Sequence, residues 1–215
     1  MPARSSASSR LVSREGDGVK VIGFSGWSGS GKTTLVERVI AGLVMAGQRV
    51  SVVKHAHHDF DIDHPGKDTW RHRQAGAFEV VVASRRRLAK MREFAFEVQP
   101  TVHQLLAELV DCDWALVEGF KNADLLKIEV WRDALGKPVR YPDDPFVVAI
   151  ATDSPQRLPQ PTALPVLDLN APDAVADFLL ETAARYEYRA PEDWLADADA
   201  GGGADAAAAG RPSAA

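Results

Sequence analysis

Apolar positions along the chain recur in two alternating periods. Residues 19–25, Val-Lys-Val-Ile-Gly-Phe-Ser, form a short β-branched run of the kind that fills a buried parallel strand. Leu35, Val36, Val39, Ile40, Leu43 and Val44 then return at three- and four-residue spacing. That is one stripe of a helix over 34–44, which Gly47 closes. Residues 48–54 read as the next strand. The alternation continues with a short helix over 68–76, capped by Asp68, and a strand over 78–84. A basic turn at Arg85, Arg86 and Arg87 leads to a hairpin partner over 88–93. An amphipathic helix follows over 100–110, then strands over 114–120, 127–131, 146–153 and 165–169. The last helix opens at Asn170 or Pro172 and runs to Tyr186, with Val175, Phe178 and Leu179 on its inner face. Trp114, Trp131 and Phe146 are core residues in this reading. Strands alternating with helices predict an α/β fold: a mostly parallel sheet flanked by helices on both faces.

The first strand–helix junction carries the strongest motif. Residues 26–33 read Gly-Trp-Ser-Gly-Ser-Gly-Lys-Thr, a full match to the phosphate-binding loop of P-loop NTPases. Each position has a mechanical reason. Gly26, Gly29 and Gly31 let the backbone turn so that N–H groups face phosphate oxygens. Lys32 reaches the β- and γ-phosphates, and Thr33 offers its hydroxyl to the accompanying Mg²⁺. The strand before and the helix after supply the context that the motif needs.

Composition narrows the setting. The net charge of −5 leaves no footprint for sequence-independent nucleic-acid binding. A single cysteine, Cys112, excludes a disulfide framework. No apolar run has the length of a membrane span, and the polar N-terminus has no apolar signal core, so the expected compartment is the cytoplasm. Residues 1–17 are Ser-rich and are expected to be flexible. The nucleotide-binding domain is expected over 18–194, followed by a disordered Ala/Gly-rich tail over 195–215.

In an open parallel sheet, ligands sit beyond the carboxyl ends of the strands. Glu118 ends the run Trp114-Ala115-Leu116-Val117, the place of the acid that serves Mg²⁺ or the attacking water. Lys54 or His55, at the end of the second strand, contacts phosphate. His55, His57, His58 and His64 lie among Asp59, Asp61 and Asp63. A switch-like loop in which Asp63 or Asp61 reaches Mg²⁺ through water fits this segment better than a transition-metal site or a plain surface loop. Asp153 has the acceptor pair that the N1–H and N2–H₂ edge of guanine requires, although the full Asn-Lys-x-Asp pattern is absent. The three arginines at 85–87 are either a lid over anions or a solvated turn.

Several stretches together resemble the MobB family of molybdopterin-guanine dinucleotide biosynthesis adapter proteins. They are the phosphate loop through Thr34, Val-Val-Lys-His-Ala-His-His-Asp-Phe-Asp-Ile-Asp with Pro-Gly-Lys-Asp-Thr, Arg-Gln-Ala-Gly-Ala, and Leu-Val-Glu-Gly-Phe-Lys. The resemblance covers about residues 19–185 in motif order. It implies a dimeric P-loop GTP-binding protein with weak GTPase activity. Such a protein assists a partner guanylyltransferase of the MobA type in attaching GMP to molybdopterin. It also implies that Gly29, Ser30, Gly31, Lys32, Thr33 and Thr34 bind phosphates, that Thr33 and Glu118 serve Mg²⁺, and that residues 54–68 frame the nucleotide. A small-molecule kinase of the uridine-kinase type shares the phosphate loop and a strand ending in Val-Glu-Gly. There Asp63 would be the base, but the helical lid of that class is missing from this sequence. A nucleotide-gated metallochaperone using the histidines is the third class.

Overall fold

The computed structural model describes residues 18–56 and 60–191, which divide into two compact units, residues 18–54 with 102–191 and His55–Thr101. In chain order the first elements are β1 (Lys20–Ser25), α1 (Lys32–Met45), β2 (Val50–Lys54), α2 (Asp68–Gln74), β3 (Glu79–Ala83) and β4 (Leu88–Arg92). The rest are α3 (Val102–Leu106), β5 (Trp114–Glu118), β6 (Lys127–Trp131), β7 (Val147–Thr152), β8 (Val166–Asp168) and α4 (Pro172–Glu181).

The larger unit is built on one sheet of order β2-β5-β1-β6-β7-β8, every neighbouring pair parallel. Parallel neighbours need crossovers, and the helices that supply them cover both faces. Alternation along the strands sorts the core accordingly. Ile22, Phe24, Trp114 and Leu116 face α1 and α4, where Leu35, Val39, Leu43, Val175 and Leu179 meet them. Val21, Ala115 and Val117 face the other way, against Val102 and Leu106 of α3. Each such leucine or isoleucine, fully buried, stabilises the fold by about 1.5–3 kcal/mol. Trp114 and Trp131 are buried, whereas Phe146 is half-buried beneath the ammonium of Lys127.

Two helices end earlier than their sequence patterns predict. The region after Leu106 tightens into i→i+3 bonds, Glu108 N–H to Leu105 O and Leu109 N–H to Leu106 O. Asp111 then takes a left-handed φ of 52° to turn the chain into β5. In α4, the hydroxyl of Thr182 donates to the Phe178 carbonyl at 2.6 Å, and the chain continues as a 3₁₀ turn over Ala183–Tyr186. Phe178 is only partly buried, and Ala176 takes the fully buried place beside Val175 and Leu179.

The smaller unit holds α2 and the antiparallel β3–β4 hairpin, in register from Glu79↔Arg92 to Ala83↔Leu88. Arg73 organises it. Its guanidinium donates to both oxygens of Asp61 (2.9 and 3.0 Å), to Asp63 Oδ2 (3.2 Å) and to Glu93 Oε1 (2.6 Å). The hydrogen bonds to Glu93 and then Asp61 push the already high pKa of Arg73 further up.

Candidate functional site

Between the end of β1 and the start of α1 the chain makes the phosphate loop, with Gly26, Gly29 and Gly31 at φ of +145°, +81° and +92°. Gly31 is the left-handed N-cap of α1 and no side chain caps the helix. The first-turn N–H groups are therefore available to an anion. The glycines also serve a close approach that the motif alone does not reveal. A Cβ at Gly26 would overlap the Val130 carbonyl oxygen, one at Gly29 would stand 3.7 Å from Leu135 Cδ2, and one at Gly31 would stand 3.3 Å from Arg132 Nη2. The loop thus lies on the segment 130–135, at the carboxyl end of β6.

Lys32 turns its ammonium back onto the loop and donates to the Gly26 and Trp27 carbonyls, each at 2.8 Å. Burial lowers its pKa, and Lys54 adds to that, while Glu118 opposes it. Parallel pairing sets Glu118 of β5 beside Lys54 of β2 and Phe24 of β1. Glu118 Oε1 accepts from the Thr33 hydroxyl at 2.6 Å, and Oε2 lies 3.4 Å from Lys54 Nζ. Thr33, Glu118 and Lys54, singled out at three distant positions of the sequence, therefore meet. Thr34 follows on the exposed first turn of α1.

Ser25 Oγ and Ser30 Oγ are buried and have no hydrogen-bond partner among the described residues. Buried polar atoms of this kind call for a partner. Together with the glycine cradle and the uncapped helix, they fit a phosphate-bearing ligand. The Thr33 hydroxyl beside a carboxylate fits an oxygen-loving cation such as Mg²⁺. Among the described residues no three His, Cys, Asp or Glu side chains group as metal ligands.

Asp153 lies just past β7 with both oxygens engaged. Oδ2 accepts from Arg132 Nη1 at 2.9 Å, and Oδ1 accepts from the Ser154 hydroxyl at 3.0 Å. Arg132 Nε donates to the Ser30 carbonyl at 3.0 Å, so one guanidinium joins Asp153 to the phosphate loop. Arg132 belongs to no sequence motif, and nothing in the pattern of the chain marks it. Trp27 is likewise an unspecified position of the loop motif. Its indole N–H donates to the Pro138 carbonyl at 2.8 Å, and the ammonium groups of Lys121 and Lys137 stand 5.4 and 5.6 Å from its ring.

The remaining predicted residues belong to the smaller unit. Asp63 accepts from the Thr69 hydroxyl (2.8 Å), from its neighbour His64 N–H (2.9 Å) and from Arg73. Burial would raise its pKa, but these donors outweigh that and hold it below the ordinary range. Asp61 is lowered by the Asp63 N–H and by Arg73. His55 also lies in this unit. Arg85, Arg86 and Arg87 form the exposed hairpin turn, where the Ser84 hydroxyl accepts from the N–H groups of Arg86 and Arg87. His57, His58 and Asp59 lie outside the described residues, as do the two termini.

Polar residues inside β6 are a second feature that the sequence pattern hides. Lys127 is buried, with its ammonium on the Ala123 carbonyl (2.6 Å) and Asp144 Oδ2 (3.2 Å). Glu129 is fully buried, and its carboxylate accepts from the N–H groups of Arg140 and Tyr141 at 2.8 Å. It thereby holds the loop that carries Pro138 to Trp27. Burial pushes the Glu129 carboxyl up, more than the two backbone donors pull it down. A raised carboxyl favours the folded state fully below the unfolded pKa, and that benefit is lost as pH rises through the folded value. Glu129→Gln, which keeps one acceptor oxygen, is therefore expected to flatten the fall of Tm with rising pH. At neutral pH the change in Tm should stay within about 4 °C. Melting curves between about pH 4 and 8 check this; parallel curves for the two proteins would show that Glu129 does not titrate in that window.

Known proteins resemble this chain over most of its length. The family model described as molybdopterin guanine dinucleotide synthesis protein B matches residues 21–153. A molybdopterin-guanine dinucleotide biosynthesis adapter protein of Escherichia coli (strain K12) is 40% identical over 167 residues, 76% of this chain and 93% of its own length. The protein of the same description from Haemophilus influenzae is 38% identical over 164 residues, 75% and 88% of the two chains. Among solved structures, a crystal structure of molybdopterin-guanine biosynthesis protein B (mobB) superposes with a TM-score of 0.59 at 27% identity, covering 75% of this chain and 97% of that one. A MobB protein homolog from Bacillus stearothermophilus gives 0.56 at 26%, with 77% and 98% covered.

Proposed function

This chain belongs to the MobB family, the adapter proteins of molybdopterin-guanine dinucleotide biosynthesis, and we propose that it works as such an adapter through GTP and Mg²⁺ bound at residues 26–34. The observation that carries the nucleotide reading is the meeting of Thr33, Glu118 and Lys54 beside a glycine cradle whose helix has no side-chain cap. Gly26, Gly29, Ser30, Gly31, Lys32, Thr33 and Thr34 hold the phosphates, with Lys32 leaving the Gly26 and Trp27 carbonyls for phosphate oxygens. Thr33 would hold Mg²⁺, and Glu118 would serve it through water. The ion's contribution is to neutralise phosphate charge. Glu118 would orient the attacking water in a weak GTPase reaction, and Lys54 would complete the phosphate contacts. Guanine preference rests on the family resemblance. Reading of the base by Asp153 requires its carboxylate to leave Arg132 and Ser154, so those two roles compete.

The partner in this reading is a MobA-type guanylyltransferase that attaches GMP to molybdopterin, and the adapter acts as a homodimer. Val81 and Leu88, exposed on one and the same face of the hairpin, support a face that a second copy covers. No described helix is long and apolar enough to cross a membrane. A competition of GTP against ATP, with and without Mg²⁺, tests the reading. GTP is expected to win, with Mg²⁺ strengthening it, and turnover without partner to fall far below the median-enzyme value of about 10 s⁻¹. Phosphoryl transfer to an added nucleoside would instead make the chain a kinase.

A further inference from the structure

We propose that Arg132 and Asp153 form a clamp that holds the phosphate loop in its ligand-binding conformation, with Arg132 as the positioning residue. The inference rests on the nucleotide reading above and adds to it two residues beyond the loop itself. Arg132 follows the last residue of β6, at the ligand-bearing end of the sheet. Its side chain is 36% exposed and that of Asp153 24%, so neither is a core residue.

The guanidinium spends its fork on two acceptors. Nε holds the Ser30 carbonyl at 3.0 Å, and Nη1 holds Asp153 Oδ2 at 2.9 Å. A trans peptide points its C=O and the following N–H in opposite directions. Fixing the Ser30 carbonyl against Arg132 therefore turns the Gly31 N–H away from Arg132. The peptide unit between Ser30 and Gly31 leads into Gly31, the N-cap of α1, so its orientation bears on the step into the helix N-terminus. Arg132 Nη2 lies 3.3 Å from where a Cβ at position 31 would stand, so the guanidinium packs closely against the last glycine of the motif. Asp153, in turn, fixes the guanidinium, and Ser154 fixes Asp153 through its hydroxyl.

Two predicted consequences separate this clamp from base reading by Asp153. A clamp acts on phosphates, so its loss weakens every triphosphate and spares the nucleoside. Base reading changes selectivity between guanine and xanthine. Affinities of GTP, XTP and guanosine are measured for the full chain and for Arg132→Ala, Arg132→Lys, Asp153→Ala, Asp153→Asn and the double alanine variant, with the melting temperature of each as a folding control. Arg132→Ala and Asp153→Ala are each expected to weaken GTP and XTP by about tenfold. The double variant should be no weaker than Arg132→Ala alone, and guanosine affinity should not change. Arg132→Lys should recover little, because an ammonium cannot present the planar fork. Unchanged GTP affinity in Arg132→Ala, or full recovery in Arg132→Lys, would overturn the clamp. So would a shift of preference toward XTP in Asp153→Asn, which would make Asp153 the base reader. A parent chain that binds no triphosphate would overturn the nucleotide reading itself, and the clamp with it.

Discussion

Replacing Lys32 by alanine is expected to weaken GTP binding by about 10- to 100-fold and to leave guanosine binding unchanged. The size follows from hydrogen bonds to charged groups, worth about 1.5–3 kcal/mol each, with 1.4 kcal/mol per tenfold in affinity. In the structure the ammonium already sits inside the loop, 2.8 Å from the Gly26 and Trp27 carbonyls, where burial makes its charge costly. Those two carbonyls carry only partial charge, so a phosphate oxygen in their place is the stronger partner. The alanine variant removes this contact and relieves a half-buried cation, so the fold itself should not suffer. Titration of both ligands with the purified variant checks the result. Equal losses for GTP and guanosine would take the phosphate role away from Lys32.

How much of this site was legible in the sequence follows from what each residue needs. The loop glycines, Lys32, Thr33 and Glu118 announce themselves because their chemistry is tied to fixed positions: a strand end, a tight turn, a helix start. The sheet was legible for the same reason, since buried parallel strands are short apolar runs and α1 shows its stripe. Arg132 was not legible. Its task depends on β6 pairing beside β1, which brings residues 130–135 under the loop although about a hundred residues separate them in the chain. Glu129 and Lys127 were hidden in another way. Lys-Ile-Glu-Val-Trp alternates like a half-exposed strand, yet β6 lies between β1 and β7 with every residue buried. Pattern reports the average fate of a charge, and here local donors and Asp144 override it. The early ends of α3 and α4 turn on local hydrogen bonds and, after α3, on the left-handed Asp111, which periodicity does not register.

Gly26→Ala is expected to be the most damaging single substitution in the phosphate loop. Two separate costs meet there. At φ +145° the backbone sits in a region that side-chain-bearing residues avoid, at a cost of about 1–3 kcal/mol. The new methyl would also overlap the Val130 carbonyl oxygen and stand 3.0 Å from Ser30 Oγ. Val130 is a central residue of a buried strand and its carbonyl cannot withdraw without disturbing β6, so crowding adds about another 1–3 kcal/mol. For a chain of this size each kcal/mol lowers Tm by about 2–4 °C, which puts the expected fall at about 5–20 °C. GTP binding should fail even where folded protein survives, because relief of the overlap lifts the loop off segment 130–135 and with it the peptide that Arg132 holds. Gly47→Ala is the control: its φ is +82°, but nothing lies within 4 Å of the new Cβ, so only the backbone cost applies. Thermal melts of the two variants side by side measure the difference. If they fall equally, contact with β6 contributes nothing to the loop, and its glycines answer to backbone conformation alone.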